Sequence, residues 1–401
     1  MESRMTARQL DRSVPRPRLL KGADGWWFLG PAGTARLKDH HVTPSGELRP
    51  SVEKHLQAKG LFDTWAYRAY SLTVLTSTHC NLGCAYCFQN IERDPTGGSR
   101  PRRIGYARLS STTITSALDF AGRRMAEAQL EQLTVTLMGG EPLLNPEGCR
   151  ELLSRASAYG LRSATMISNC ALLTKPQARA LADVGLDLVQ VTLDGDRDDH
   201  DRIRVRRSDS GGTFDTIVRN IAAAMRTTSI RFIIRVNVSH HNHAGMPLLL
   251  DRLSDALDAS RCTLYFALVG DVGIGYSNGL LASTDAAEEF TRWYRRALDL
   301  GFEIPRPRAY VPCQSCSFED GRYGAVVSAD GSLSSCWDTA GKPGWEVGSL
   351  DNGYLPPEET KDRWVSCDEL NDYGGDPSVF RSFRDRVDAW ILDQLTAAGQ
   401  L

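Results

Sequence analysis

From Tyr70 to Leu300 the chain alternates between two hydrophobic periods. Six short runs, YSLTVLTS, QLTVTLMG, SATMISN, LDLVQVTLD, IRFIIRVNVS and CTLYFALVG, are rich in aliphatic and β-branched residues and read as buried strands. Between them, stretches such as TTITSALDFAGRRMAEAQ, KPQARALADVG, FDTIVRNIAAAMR, HAGMPLLLDRLSDAL and DAAEEFTRWYRRALDLG repeat apolar residues at helical spacing. Apolar strands alternating with amphipathic helices predict a parallel sheet with right-handed crossovers. Six such units over residues 70–300 predict an α/β fold, a partial (β/α)6 TIM-like barrel rather than a closed eightfold one. In such folds the chemistry gathers at the C-terminal ends of the strands.

The flanks have other patterns. Residues 1–21 carry arginines at 4, 8, 12, 16 and 18 and prolines at 15 and 17, and predict a mostly disordered tail. Residues 22–69 predict a small unit: a hairpin around Gly30 and Gly33 in GWWFLGPAGTARL, then a helix in PSVEKHLQAKGLF closed by Gly60. Beyond residue 300, Pro305, Pro307 and Pro312 mark a linker, RYGAVVSADGSLSSCW reads as a hairpin turning at Asp330-Gly331, and PSVFRSFRDRVDAWILDQLTAA predicts a closing helix. The domains expected are therefore 1–21, 22–69, 70–300 and 301–401.

Composition narrows the function classes. With 401 residues, 41% hydrophobic and 24% charged, the chain is an ordinary globular protein that needs no disulfide staples. No apolar run approaches the roughly 18 residues of a membrane span, and MESRMTARQLDRS lacks the apolar core of a secretory signal, so a cytoplasmic protein without membrane partners is expected. A net charge of −2 argues against a nucleic-acid coat. Ten cysteines in such a chain read as metal ligands or buried thiols. They divide into Cys80, Cys84 and Cys87; Cys313, Cys316, Cys336 and Cys367; and the solitary Cys149, Cys170 and Cys262, which read as packed thiols.

The first group lies just past the first strand, in THCNLGCAYCFQN, spaced C-x3-C-x2-C. Three thiolates on one loop leave one iron of a cubane cluster without a protein ligand, and an open position is what chemistry at a metal requires. The alternative is a structural zinc knot completed by His79 or a distant residue. Further motifs end later strands. LMGGEPLL offers Gly139 and Gly140 for close backbone approach and Glu141 as an acceptor. ISNCALL offers Ser168 and Asn169; VQVTLDGDRDDHDRIR offers Thr192 and Arg204, with Arg202 if the register slips; RVNVS offers Asn237. The run Arg202, Arg204, Arg206, Arg207 reads as a solvated face or as a receiver of an acidic peptide or phosphate.

In combination these motifs resemble the radical S-adenosylmethionine (SAM) superfamily: its three-cysteine loop with an aromatic residue, here Tyr86, before the last cysteine, its GGEP motif, and a Ser-x-Asp-Gly…His-Asp-x-x-Arg stretch of its SPASM/twitch branch. Where that family has Thr-Asn-Gly, this chain has Ser168-Asn169-Cys170. The resemblance implies that Cys80, Cys84 and Cys87 hold a [4Fe–4S] cluster whose open iron binds SAM, which is cleaved to a 5′-deoxyadenosyl radical. It also implies that Gly139, Gly140, Glu141, Ser168, Asn169, Thr192 and Arg204 surround the SAM. Cys316, fourteen residues, Gly331, four residues and Cys336 match the SPASM/twitch signature. Only Cys367 follows, so Cys313, Cys316, Cys336 and Cys367 would serve one auxiliary [4Fe–4S] cluster or a structural zinc. The implied activity is hydrogen abstraction from a ribosomally made precursor peptide held by a leader-binding unit at residues 22–62, with a flavodoxin or ferredoxin as electron donor. Alternatives are a twitch-type dehydrogenase or epimerase of a small alcohol or sugar, or a non-enzymatic iron–sulfur or zinc protein. The sequence singles out no acid–base residue; Asp338, two positions past Cys336, is read as a turn cap.

Overall fold

The computed structural model describes residues 12–84, 86–89, 104–270, 284–365 and 377–401. Six parallel strands, β4 (Ala69–Ser77), β5 (Gln132–Gly139), β6 (Leu161–Ser168), β7 (Leu186–Thr192), β8 (Arg231–Val238) and β9 (Cys262–Leu268), neighbour one another in chain order. They are the six runs expected, and the sheet they form does not close, as a partial barrel requires.

Side chains of a strand alternate between faces. One face, with Leu72, Val74, Leu133, Val135, Val189, Val191, Phe232, Ile234 and Val236, is buried in the main core. The helices pack on it: α2 (Ser111–Glu127), α3 (Pro146–Ala156), α4 (Lys175–Ala182), α6 (Phe214–Thr227), α7 (Met246–Ala256) and α8 (Thr284–Asp299), while the short α5 (Arg197–Ile203) lies against α6. The opposite, inner face is polar over much of its area, with Thr73, Thr136, Thr165, Gln190, Thr192, Arg235, Asn237 and Tyr265. Further along β4 to β6 the same face carries Leu75, Met138 and Ile167, which pack with Val326 and Ala340.

Strand β10 (Gly324–Val327) pairs parallel with β4, and β11 (Ser332–Ser334), β12 (Glu346–Ser349) and β13 (Gly353–Tyr354) follow antiparallel, making one ten-stranded sheet. The expected hairpin is β10–β11. Its turn carries Gly331 at φ +89°, where a side chain would be strained, and Asp330 Oδ1 accepts from the Ser332 amide at 3.0 Å.

Residues 18–21, expected within the tail, form with Gly22 the strand β1 (Arg18–Gly22), which pairs with β2 (Gly25–Gly30), itself paired with β3 (Gly33–Leu37). On one face of this small sheet Phe28 and Leu37 pack on Leu56 of α1 (Pro50–Ala58). On the other, Leu20, Trp27 and Leu29 pack on Ala389 and Leu392 of the C-terminal helix, which follows the four-residue α9 (Pro357–Thr360) and is α10 (Pro377–Ala397). Arg18 donates to Asp385 and Asp388, both at 2.6 Å, and the Trp27 indole donates to Asp393 at 2.8 Å. The strand that β1 pairs with is its neighbour in sequence, but the α10 groups that hold Arg18 lie about 370 positions away. Among the described residues no helix is long and apolar enough to cross a membrane.

Candidate functional site

The C-terminal ends of β4 to β8 meet at the three-cysteine loop. Past β4 the backbone of Ser77 and His79 is paired by the GGE turn: the Gly140 amide donates to Ser77 O and the Glu141 amide to His79 O, both at 2.8 Å. A Cβ on Gly139 would lie 2.1 Å from Ser77 O, and one on Gly140 would lie 2.2 Å from His79 O. Those glycines bring the two chain segments together directly before Cys80.

Glu141 is fully buried, and its carboxylate is engaged inside the protein. Oε1 accepts from Ser168 Oγ at 2.7 Å and the Leu143 amide at 3.0 Å, and Oε2 accepts from the Asn169 amide at 2.8 Å. Burial raises this carboxyl above its ordinary range against the pull of the three donors. Glu141 and Ser168, both expected around SAM, are thus joined to each other and fix the end of β6. Asn169 faces the cysteine loop: its Nδ2 donates to Asn81 at 2.8 Å and lies 3.9 Å from Cys80 Sγ. Cys170 occupies the glycine position with φ +59°, wholly buried, its thiol pushed up by burial. It is a packed thiol, as are Cys149 and Cys262.

The Tyr86 hydroxyl, between Cys84 and Cys87, is the hub of the site. It donates to Asp194 Oδ2 in a short hydrogen bond and accepts from Arg204 Nη1 at 2.7 Å and Asn237 Nδ2 at 3.1 Å. Arg204 also pairs with Asp194 at 3.3 Å, and both are buried. Burial pushes Asp194 up, with Arg204 and Tyr86 opposing. Desolvation works against the Arg204 charge, but Cys84, Tyr86, Asp194 and Cys80 nearby hold it firmly protonated. Behind this knot sits His200, buried and held neutral by desolvation. Its Nδ1 accepts from the Asp194 amide at 3.3 Å, which places the ring proton on Nε2, 3.2 Å from Thr213 Oγ1. Asn237 is thereby a site residue; Tyr86, Asp194 and His200 were legible only as motif letters.

The arginine run is divided: Arg202 and Arg206 are exposed, as a solvated face requires, whereas Arg204 is buried and Arg207 half-buried. Arg202 pairs with Asp199 and Arg206 with Asp209. Arg207 donates to Leu82 O, its amide to Asn81 O, and the Gly83 amide to Val205 O, so residues 205–207 are stitched to the cysteine loop. Thr192 lies on the inner face in register with Arg235.

Cys80 and Cys84 are buried and Cys87 is half-buried, packed with Leu82 and Tyr86. The Leu82 amide points at Cys80 Sγ from 3.4 Å. The chemistry of this set fits an anionic iron–sulfur cluster: three thiols on one loop, an amide aimed at one sulfur, and a buried guanidinium beside two of them. Two buried polar atoms in the same knot, Asp194 Oδ1 and Arg204 Nε, have no hydrogen-bond partner, as expected of groups next to a polar cofactor. Among the described residues no three His, Cys, Asp or Glu side chains converge tightly enough for a single metal ion.

In the C-terminal group, Cys316 and Cys336 are buried and Cys313 is exposed. Cys313 accepts from the Cys316 thiol and the nearby Cys316 and Ser315 amides, which hold it down to about 6 and favour a thiolate. Cys367 lies outside the described residues. Lys342, lowered by burial, has Asp338, Cys87 and Cys336 in electrostatic reach, so both cysteine groups border the same space. Ala340 and Phe88 belong to one apolar cluster across it.

Residues 74–247, from β4 past the end of β8, match the radical SAM superfamily. That match implies a [4Fe–4S] cluster and SAM as cofactors. The PqqA peptide cyclase of Gluconobacter oxydans is 30% identical over 224 residues, 55% of this chain and 56% of that protein. The chain therefore spans little more than half the length of that curated relative. The PqqA peptide cyclase of Ruegeria pomeroyi is 28% identical over 325 residues, 74% of this chain and 80% of that protein. Native anSMEcpe with bound AdoMet shares the radical SAM fold with a TM-score of 0.58 at 16% identity, over 82% of this chain and all of that one.

Two outcomes are expected. Tyr86→Phe deletes a hydroxyl with three partners, two of them buried, and should cost about 1–3 kcal/mol in urea unfolding of the iron-free protein; an unchanged midpoint would show that the knot does not hold the loop. His200 binds a proton less readily folded than unfolded, so acid favours the unfolded chain once pH falls below the ordinary imidazole value. Between pH 6.5 and 5.5 wild type should therefore lose about 1 kcal/mol more than His200→Gln, while parallel profiles would refute a buried neutral imidazole.

Proposed function

We propose that this chain is a peptide-modifying radical SAM enzyme of the SPASM/twitch branch. The observation that carries the reading is its likeness to two PqqA peptide cyclases, one of them matched over 80% of its length. The fold is shared with anSMEcpe described with a bound Cp18Cys peptide, at a TM-score of 0.57. Cys80, Cys84 and Cys87 would hold the cluster, and Gly139, Gly140, Glu141, Ser168, Asn169, Thr192 and Arg204 would form the walls of the SAM site. When bound, cluster and SAM together supply a 5′-deoxyadenosyl radical able to abstract a hydrogen atom.

The chain's own residues do the positioning. Tyr86, Asp194 and Arg204 lock the cysteine loop onto β7 and β8. Glu141 ties the GGE turn to the end of β6, so that two walls of the cofactor site move as one body. The polar inner face of the sheet offers a peptide backbone hydroxyl and amide partners while keeping its reacting carbon away from bulk water. In this reading a flavodoxin- or ferredoxin-type protein of the cytoplasm delivers the electron. Residues 22–62 would hold the leader of the precursor peptide, braced by α10. Cys313, Cys316, Cys336 and Cys367 would hold one auxiliary cluster; a Cys313 favouring the thiolate, and Cys336 bordering the same lysine as Cys87, support this.

Anaerobic incubation with SAM, dithionite and candidate precursor peptides should give 5′-deoxyadenosine together with a peptide mass change such as the loss of two hydrogens. Formation of 5′-deoxyadenosine with no change in any peptide, but oxidation of an added sugar or alcohol, would move the assignment to a small-molecule dehydrogenase. Reconstituted protein should carry about eight irons, and the triple variant Cys313→Ala, Cys316→Ala, Cys336→Ala about four. Equal iron in the two, or one zinc in the wild type, would remove the auxiliary cluster.

A further inference from the structure

We propose that Arg235, on the inner face of β8, is a specificity-determining residue that takes a carboxylate of the substrate beside the cysteine loop. The proposal deepens the peptide-modifying reading and rests on it for the substrate class.

The register places Arg235 between Thr192 of β7 and Tyr265 of β9, a single row across the inner face. Its guanidinium lies over the Tyr265 ring, 5.6 Å from the centroid, and its Nε donates to Asn237 Oδ1 at 2.7 Å. The same amide donates through Nδ2 to the Tyr86 hydroxyl at 3.1 Å. Two hydrogen bonds therefore connect Arg235 to the residue between Cys84 and Cys87, and a group held by Arg235 would lie next to the place where the radical is made.

Arg235 differs from its neighbours in its charge balance. Arg231, four positions earlier on the same face of the same strand, pairs with Glu303 at 2.5 Å. Arg197, Arg202, Arg204 and Arg206 pair with Asp215, Asp199, Asp194 and Asp209. Arg235 has no carboxylate partner among the described residues, and its terminal nitrogens donate to none of them. The groups beside it in the row, Thr192, Asn237 and Tyr265, are neutral. A guanidinium has five donors in a planar fork, and here one edge is fixed and one face is stacked. What remains is a pre-oriented pair of donors on a half-buried cation, reachable because Tyr265 is 38% exposed. That is the complement of a planar carboxylate, which accepts two parallel hydrogen bonds. On a peptide such a group is an aspartate or glutamate side chain, or the chain's own C-terminus. The observations favour the side chain: the station lies on the wall of the sheet, two residues short of Asn237, not at an end of the groove.

The test uses the full chain, reconstituted anaerobically, with three probes: N-acetyl-glutamate N-methylamide, N-acetyl-glutamine as the free acid, and N-acetyl-glutamine N-methylamide. Affinities are read by saturation-transfer NMR. The side-chain carboxylate should bind the wild type at least about tenfold more tightly than the neutral probe, the span of one charge-assisted pair. Arg235→Gln should abolish that preference, and Arg235→Lys, which keeps the charge but not the fork, should retain part of it. Tighter binding of the free acid than of the side-chain carboxylate would reassign the source to a chain terminus and overturn the side-chain assignment. Equal affinities in wild type and Arg235→Gln would overturn the proposal, as would a loss of SAM affinity in that variant with carboxylate binding intact, since the arginine would then serve the cofactor. If Arg235→Gln fails to fold, Tyr265→Leu, which removes the stacking platform, should weaken the carboxylate probe several-fold, and no change would count against the site. None of these readings needs a peptide to be processed, so failure of the peptide assignment and failure of this one are separately visible.

Discussion

The site depends on one buried ion pair and the phenol that joins it. Asp194 and Arg204 are taken out of water at the end of β7, and such a pair is stable only where further hydrogen bonds meet its remaining polar atoms. Tyr86 supplies one such bond to each partner, and Tyr86 belongs to the cysteine loop. The electrostatic need of the pair therefore holds the loop in place. The loop in turn brings Cys80 and Cys84 beside the Arg204 guanidinium. The position of the loop and the cation beside it have a common cause.

Much of the fold was legible because its signals are local. Six strands and the helices between them follow from a switch between two hydrophobic periods, and each switch occupies fewer than twenty residues. The motif glycines were legible for the same reason: Gly139 and Gly140 mark a close approach, and the approach is to backbone only 62 and 61 positions earlier, Ser77 and His79. What local pattern could not supply is pairing over long separations. Strand β1 is buried by α10, and β10 joins β4, across some 250 positions. Neither partner carries any mark of the other.

The site was half legible in a similar sense. The residue types pointed to the right neighbourhood, but not to who is bonded to whom. Glu141 looked like an acceptor for a ligand ammonium; in the fold it is a brace between the GGE turn and Ser168 and Asn169. A carboxylate has about four acceptor positions, and three are filled from within the chain. The arginine run looked like a solvated face because four cations in six residues usually repel one another into water. Here each meets its own acid or carbonyl. The acids that neutralise the run, Asp194, Asp199 and Asp209, stand within ten positions of their partners, so the balanced charge of this segment was the overlooked signal.

The pairing of β10 with β4 has a consequence for the two cysteine groups. Cys80 follows β4 by three residues, and Cys336 follows β11, the partner of β10, by two. β10 runs parallel to β4 and β11 returns antiparallel to it, and the segment after Cys336 packs against residues that follow Cys87. There Ala340 and Phe88 join one apolar cluster, and Lys342 has Cys87 and Cys336 in electrostatic reach. An appended domain on a flexible linker would leave the distance between the groups free to vary. A continuous ten-stranded sheet fixes it, since changing it would break backbone hydrogen bonds in the middle of the sheet rather than at an edge. The extension is thus a wall of the same chamber whose opposite side carries Arg235 and Tyr265, and whatever enters that chamber meets both cysteine groups at a spacing set by the sheet.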